Sequence, residues 1–248
     1  LGLEAPTTWD DLETIAETFI HEKNLVSLGY DDMAGMLEAS LRQSGAEYVT
    51  EEGAQFDNET GLETVQFIMD LYNNGYARLV GEDGYCSGPF SNQLIAAYVG
   101  SCTGVSYITH DGWELGVAPL PGNTENAANT AGTNINMFAA DENQRKATWE
   151  FMKFLTSTEA TTKWAMETGY LPVRQSALDS DTYQEFMAND PTATACYAQS
   201  DAFFSSPVFE GSYDVQNAVN TTLEEVILAK EDAQTALDSL VSAINNAL

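Results

Sequence analysis

Basic residues are scarce in this chain. It carries 9 lysine and arginine residues against 38 aspartate and glutamate residues over 248 positions, a formal net charge of -29. At physiological salt such a field repels phosphate backbones and anionic lipid head groups over about 8 Å. The charge balance therefore argues against nucleic acid as a partner. It also disfavours a strongly anionic ligand, although a few placed hydrogen-bond donors can override a global field locally.

Cysteine and histidine are also rare. Cys86, Cys102 and Cys196 lie far apart, with no C-x-x-C pair and no histidine at metal-ligand spacing. This pattern argues against a zinc site and against a scaffold held together by disulfides. At most one disulfide can form. The small and apolar neighbours of Cys102 favour a buried free thiol at that position.

Long hydrophobic runs and nucleophile motifs are absent. No window approaches the roughly 20 apolar residues of a membrane-spanning helix. There is no G-x-S-x-G or H-E-x-x-H motif, and neither His21 nor His110 has a plausible catalytic partner nearby in sequence. We therefore predict no catalytic residue, no metal site and no cofactor. Two alternatives stay open: a glycoside hydrolase with paired carboxylates about 5 to 10 Å apart, and an acidic scaffold that only contacts other proteins.

The sequence does contain alternating helix and strand patterns, which predict an α/β fold. Thr7 and Thr8 each precede an acidic residue by three positions, a start signal for a helix that reaches about Glu22. The other elements predicted in the first half are a buried strand over Leu25–Leu28, helices over Met33–Gln43, Thr60–Asn74 and Phe90–Val99, and a β-rich stretch over Cys102–Thr109.

The second half begins with a polar segment and continues with helices. Asp141 precedes a helix whose apolar stripe predicts packing on another element, and the next helix, Thr158–Thr168, is expected to turn Trp164 inward. Pro172 should stiffen an exposed Tyr170 after the helix stop at Gly169. The remaining predicted elements are an exposed loop over Gly122–Gly132, a buried strand over Ile135–Ala139, and two helices, Tyr213–Ala229 and Ala233–Leu248.

Polar residues that follow predicted strands or turns are candidates for a binding site. Tyr30, Asp31 and Asp32 come at the carboxyl end of the first strand, which is where open α/β sheets bind ligands. A carboxylate there can accept hydrogen bonds from paired hydroxyl groups; the alternative is a solvated turn. Thr133 and Asn134 supply both donors and acceptors after a glycine, with a purely structural turn as the alternative.

Several stretches resemble motifs of one family. The F-x-x-F-L-T-S pattern within Ala147–Ser157 and the later Gly169-Tyr170-Leu171-Pro172 are similar to a helix pair that ends in G-x-L-P at a ligand cleft. The further similar stretches are Pro6–Leu12, Phe56–Gly75, Gly116–Gly122 and Asp232–Leu237. Together, in this order, they resemble the extracellular solute-binding proteins, family 1, of ABC importers, in the group that takes sugars or glycerol phosphate.

This resemblance implies a two-lobed periplasmic-binding-protein fold that closes on its ligand. Lobe two would comprise residues 1–113 and 197–248, and residues 114–196 would form part of lobe one, with the leading segment of lobe one expected before Pro6. The implied ligand is a sugar or oligosaccharide, with glycerol 3-phosphate or another polyol derivative as the alternative. The implied partners are membrane permease subunits, and the implied protein is a monomer, extracellular as a lipoprotein or periplasmic, although no leader is visible.

The resemblance also adds site residues. Gly169 and Tyr170 occupy the G-x-L-P turn, and Thr133 and Asn134 match a glycine-rich segment that faces the cleft. An aromatic residue usually stacks on the sugar, and either Tyr107 or Trp113 could take that place, with core packing as the alternative for both. Gln216 stands where a ligand phosphate would call for a cation, which hints at a neutral ligand.

Overall fold

The computed structural model of the protein describes residues 1–248 as a mixed α/β chain that is mostly helical. The α-helices are α1 Trp9–Lys23, α2 Met33–Gln43, α3 Glu59–Asn73, α4 Ser87–Ser91, α5 Glu142–Leu155, α6 Thr158–Thr168, α7 Gln175–Leu178, α8 Asp181–Asn189, α9 Pro191–Ala198, α10 Ser212–Ala229 and α11 Ala233–Ala247. The strands are β1 Val26–Tyr30, β2 Val49–Thr50, β3 Gly53–Ala54, β4 Ala77–Arg78, β5 Ile95–Val99, β6 Ala128–Asn129 and β7 Phe203–Phe204. No helix combines the length and the apolar character that crossing a bilayer requires.

A three-stranded parallel sheet and the helices around it form the main core. The strand order is β4-β1-β5, with Leu28 opposite Ala77 on one side and Ala97 on the other. Helices α2, α3, α10 and α11 pack against one another and contribute most of a cluster of 26 buried apolar residues. The predicted first strand and the helices at Met33, Thr60, Tyr213 and Ala233 are thus confirmed. Gly29 and Tyr30, which we predicted in a turn, belong to β1.

Helix α1 begins at the predicted signal. The Thr8 side chain accepts a hydrogen bond from the backbone N–H of Asp11, and the Asp11 carboxylate accepts from the backbone N–H of Thr8. Hydrogen bonds from Thr7, and then from Thr8, hold the pKa of Asp11 below its usual value. Trp9 stacks on Phe67 at a ring distance of 3.8 Å, so the first turn of α1 is fixed to α3.

Residues 142–198 form a smaller body with far less burial. Its apolar cluster contains three buried residues, Ala165, Tyr183 and Met187. Helix α5 has no buried residue at all, and Phe151 and Phe154 on its predicted inward stripe are exposed. Trp164 on α6 is exposed as well. The prediction that these side chains pack inward is wrong for this chain, because no described element covers that side of α5 and α6.

Two segments within residues 90–107 have a secondary structure that differs from the prediction. The segment predicted as a helix over Phe90–Val99 is a helix only up to Ser91; the backbone then turns at Gln93, with φ 57°, into strand β5. Residues Cys102–Tyr107 form a 3-10 helix instead of a β-rich stretch. The apolar run in β5 is compatible with helix or strand by itself, and its pairing with β1, distant in sequence, makes it a strand.

The central connection also departs from the prediction. The loop predicted over Gly122–Gly132 contains buried Ala127 and strand β6, which pairs in parallel with β7. The predicted buried strand over Ile135–Ala139 has no regular structure, and Phe138 is 94% exposed. A strand needs a partner for its backbone groups, and no described strand lies beside this segment.

A disulfide connects the two bodies. Cys102 and Cys196 are bonded across 94 residues of sequence, which joins the 3-10 helix after β5 to α9. The expectation of a free thiol at Cys102 was therefore wrong. Small neighbours do not reveal a disulfide whose partner lies so far along the chain. The free cysteine is Cys86, which is buried.

Candidate functional site

The carboxyl edge of the parallel sheet holds the first group of predicted site residues. Tyr30 ends β1 with its side chain buried in the main core. Asp31 is half-buried, accepts a hydrogen bond of 2.7 Å from the backbone N–H of Cys86, and lies directly over Gly100 at the end of β5. Asp32 is exposed at the N-terminus of α2. Two of the three predicted side chains are thus accessible at this edge, whereas the Tyr30 ring is part of the core.

Asp31 also controls the chemistry of its neighbour Cys86. Burial, reinforced by the nearby Asp31 carboxylate, raises the pKa of the Cys86 thiol to about 12. A thiol with that pKa stays protonated near neutral pH and is a poor nucleophile. The Cys86 thiol is therefore not an activated nucleophile.

The turn after α6 holds the second group. Gly169 ends the helix in the left-handed region with φ 76°, and its backbone lies against the carbonyl of Cys102. Tyr170 follows with its hydroxyl 3.4 Å from the hydroxyl of Thr133. The Trp164 ring lies 6.3 Å from the Tyr170 ring. The turn thus brings Gly169, Tyr170 and Thr133 together and presents two aromatic rings beside two hydroxyl groups.

The other predicted residues are placed differently. Tyr107, at the end of the 3-10 helix, is 77% exposed. Trp113 packs edge-on against Phe90 at 5.2 Å, with His110 on another side at 5.8 Å. Asn134 is exposed, and its side-chain oxygen accepts a hydrogen bond from the Asn136 amide. Of the two aromatic candidates, Tyr107 is the one whose ring is free in the structure.

A series of contacts joins the two groups. Asp31 lies over Gly100, two residues before Cys102, and the Cys102 carbonyl faces Gly169, 3.4 Å from where a Cβ would stand. The Cys102–Cys196 disulfide holds this contact region to α9. The carboxyl edge of the sheet and the Tyr170 turn therefore flank one segment, residues 100–107, which also carries Tyr107.

A separate cavity of about 180 Å³ lies between α2, the start of α10, and the segments around Asn129 and Ser206. Polar and apolar side chains line it in similar number. Its polar lining residues include Glu38, Tyr48, Asn129, Ser206, Ser212 and Gln216. Of these, our sequence analysis singled out only Gln216.

Glu38 is the least expected member of this cavity. It is only 2% exposed, in a helix whose other buried residues are mostly apolar. Its carboxylate accepts a hydrogen bond of 2.6 Å from the Ser206 hydroxyl and forms an ion pair of 2.9 Å with Arg42. Arg42 in turn lies over the Phe204 ring at 4.4 Å. The one available signal was a glutamate on the apolar face of α2 with an arginine four residues later.

The start of α2 is held by α10. The backbone N–H of Ala34 donates to the side-chain oxygen of Asn220, at 2.8 Å. At the other end of α2, Gln43 accepts from the Trp9 indole and donates to the Ala127 carbonyl. The helix that carries Glu38 is therefore fixed at both ends, and the cavity wall is preorganised. No group of three or more His, Cys, Asp or Glu side chains is placed to hold a metal ion.

Comparison with known sequences identifies relatives of this chain. An sn-glycerol-3-phosphate-binding periplasmic protein, UgpB, from Brucella abortus strain 2308 is 26% identical over 196 residues, which are 75% of this chain and 45% of that protein. A maltotriose-binding protein from Pyrococcus abyssi is 24% identical over 203 residues, 76% of this chain and 42% of that protein. The chain thus spans less than half the length of these curated relatives.

Solved structures show the same fold. A cyclic alpha-maltosyl-1,6-maltose binding protein from Arthrobacter globiformis superposes with a TM-score of 0.83 at 22% identity, over 99% of this chain and 65% of that one. UgpB from Mycobacterium tuberculosis, solved with glycerophosphocholine, gives 0.82 at 17% identity, over 100% of this chain and 65% of that one. The chain thus has the two-lobed α/β fold predicted for it, over about two thirds of the length of these proteins.

The family described as bacterial extracellular solute-binding protein matches residues 3–195, most of the chain. The predicted resemblance is confirmed by this match. This chain belongs to the bacterial extracellular solute-binding protein family.

Proposed function

We propose that this protein is the substrate-binding component of an ABC importer and captures a neutral sugar or oligosaccharide in a cleft between two lobes. The observation that carries the proposal is the grouping of ligand-type side chains around residues 100–107. Asp31 lies on one side of this segment, and Tyr170 with Thr133 lies on the other. Hydroxyl groups and a carboxylate bind sugar hydroxyls, and aromatic rings stack on the apolar face of a sugar.

The two bodies correspond to the lobes in this proposal. Residues 1–113 and 197–248 would form lobe two, around the parallel sheet, and residues 114–196 would form part of lobe one. The paired strands β6 and β7 would connect the two lobes, since β6 lies within residues 114–196 and β7 within residues 197–248. Tyr170 and Thr133 would then face the ligand from lobe one, and Asp31 and Asp32 from lobe two.

The exposed apolar face of the smaller body supports a larger lobe one. Phe151, Phe154 and Trp164 are exposed on α5 and α6, and Phe138 is exposed in the segment before them; single-chain proteins seldom leave several large apolar side chains of neighbouring elements in water. About a third of each solved relative has no counterpart in this chain. We propose that further lobe-one polypeptide, which corresponds to that unmatched third, covers these side chains.

The disulfide supports a location outside the cytoplasm. Disulfides such as Cys102–Cys196 persist in oxidising compartments. Members of this family are extracellular, and an importer component must meet its permease subunits at the outer membrane surface. The protein would therefore work outside the cytoplasm, held there as a lipoprotein or free in a periplasm. A monomer remains our prediction for its oligomeric state.

Binding without chemistry fits the site better than hydrolysis. A glycoside hydrolase needs one carboxylic acid and one carboxylate flanking the scissile bond, about 5 to 10 Å apart. At this site Asp31 is engaged by the Cys86 backbone N–H, and the buried Glu38 is engaged by Ser206 and Arg42. Asp31 and Glu38 do not line one common cavity, so they do not form the facing pair that hydrolysis requires.

Titration calorimetry of the purified protein against maltose, maltotriose and glucose tests the proposal. We expect saturable heat with a dissociation constant near 1 μM, equivalent to roughly -8 kcal/mol. Sugar analysis after the titration should show the ligand unchanged. New reducing ends would indicate a hydrolase instead, and absence of heat with all sugars would contradict carbohydrate binding.

Replacing Tyr170 by alanine sharpens this test. The variant should bind the sugar at least tenfold more weakly, about 1.4 kcal/mol, because it loses a ring and the hydroxyl next to Thr133. The melting temperature should change little, since the Tyr170 side chain is only half-buried. Tyr76→Ala is the matched control, because Tyr76 is half-buried like Tyr170 and its carbonyl accepts hydrogen bonds from Ser27 and Leu28 near the start of β1, away from the carboxyl edge of the sheet. Unaltered affinity with a large loss of stability would show that Tyr170 is a packing residue.

A further inference from the structure

The cavity between α2 and α10 contains one ionised side chain. Thirteen residues line it, and Glu38 is the only acidic or basic residue among them. The other polar side chains are hydroxyls and amides, from Tyr48, Asn129, Ser206, Ser212, Tyr213 and Gln216. A ligand group in this cavity would meet neutral hydrogen-bonding partners and one negative charge.

Both carboxyl oxygens of Glu38 have a hydrogen-bond partner. Arg42 approaches one carboxylate oxygen at 2.9 Å, and the Ser206 hydroxyl donates to the other at 2.6 Å. Arg42 does not line the cavity; it lies over Phe204, on the far side of Glu38. The cation therefore stabilises the buried charge from behind and offers no donor to a ligand in the cavity.

The start of α10 contributes a partial positive charge to the cavity, opposite in sign to Glu38. Ser212 and Gln216 bring the first turn of that helix to the cavity, and its N-cap Gly211 supplies no side-chain hydrogen bond. A helix N-terminus carries about half a positive charge. Arg42 offsets part of the Glu38 charge, but the carboxylate is the end of this ion pair that lines the cavity, so an anion there would meet the negative end first.

We infer that Glu38 is a specificity-determining residue, which makes this cavity accept neutral hydroxylated groups and reject phosphate esters. The inference rests on the proposed function and refines it, because the relatives include proteins named for sn-glycerol 3-phosphate and for maltotriose. Ser206 couples Glu38 to the connection after β7, and Asn129 donates to Ser206 from the other connection. The residue thus lies where a ligand would contact both connections at once.

Matched pairs of ligands test this inference. Calorimetry should compare glycerol with sn-glycerol 3-phosphate, and glucose with glucose 6-phosphate, on the purified protein. We expect each neutral compound to bind at least 100-fold more tightly than its phosphate ester. Phosphate esters that bind as tightly as the neutral compounds, or more tightly, would overturn the inference and leave solute capture intact. Absence of binding by both members of both pairs and by the oligosaccharides would overturn the proposed function, and the inference with it.

Two variants then assign the effect to Glu38. Glu38→Gln keeps the shape and removes the charge, so the preference for the neutral compound should fall at least tenfold. Glu225→Gln is the matched control, since it removes an equal charge from an exposed site on α10 and should leave the preference unchanged. If Glu38→Gln does not fold, Glu38→Gln combined with Arg42→Gln removes both members of the ion pair, leaves no charge without its partner, and tests the same effect. An unchanged ratio in the variant that folds would contradict the role of Glu38.

Discussion

Helices α3 and α5 have nearly the same length and each begins with a side-chain cap, yet α3 is partly buried and α5 is exposed. Asn58 caps α3 and Asp141 caps α5 through side-chain hydrogen bonds. Helix α3 buries six residues between α2 and α11, whereas α5 buries none and lies beside α6. Local sequence thus forms both helices, but only the presence of neighbouring elements turns an apolar stripe into a core.

The largest expected effect comes from paired phenylalanine substitutions in the two regions. Phe56 is 0% exposed in the main core and Phe154 is 63% exposed on α5. We expect Phe56→Ala to cost about 3–5 kcal/mol of unfolding free energy, and Phe154→Ala to change it by less than about 0.5 kcal/mol. Urea unfolding followed by circular dichroism measures both. Similar losses in the two variants would mean that α5 is covered in solution, and the comparison would fail.

The disulfide gives the next effect. Replacing both Cys102 and Cys196 by serine should lower stability by about 2–4 kcal/mol, because the bond closes a long loop in the unfolded chain. Hydrogen exchange should increase in α9 and in residues 102–107, which the bond joins, and much less in α3 and α11. Adding dithiothreitol to the variant is the control and should have no further effect. Equal increases throughout the chain would show that the two regions unfold as one unit.

The smallest effect concerns the cap of α1. Thr8→Ala should cost about 1 kcal/mol, because the backbone N–H of Asp11 loses its acceptor. The pKa of Asp11 is depressed in the folded state by bonds from Thr7 and Thr8, so its stabilising contribution exists above its unfolded pKa and is lost as the pH falls through the folded value. Thermal unfolding at pH 7 and pH 3 measures this. The difference between wild type and variant should shrink in acid, and a difference that grows in acid would contradict the capping box.

Elements governed by local chemistry could be predicted from the sequence. Helices α1, α2, α3, α10 and α11 were all predicted, because caps and apolar periodicity are properties of neighbouring residues. Strand β5 was not, because its pairing with β1 depends on residues far away in the chain. The buried strand expected over Ile135–Ala139 failed for a related reason, since its apolar composition is real but no described strand pairs with it.

The candidate site could be predicted only in part. Tyr170, Thr133, Asp31 and Asp32 were found through strand ends and motif resemblance, and their roles remain predictions. Glu38 was missed because its partner Ser206 lies 168 residues away, and a lone glutamate in a helix normally faces solvent.

The bond between Cys102 and Cys196 determines what happens to this molecule when a protease cleaves it. It closes a covalent ring that contains α5, α6 and the exposed stretch around Phe138. One cut in that stretch opens the ring without releasing either piece, so Thr133 and Tyr170 stay tethered to the same molecule. Proteolytic cleavage in this exposed stretch would thus leave a nicked protein that migrates as a single species in electrophoresis until the disulfide is reduced.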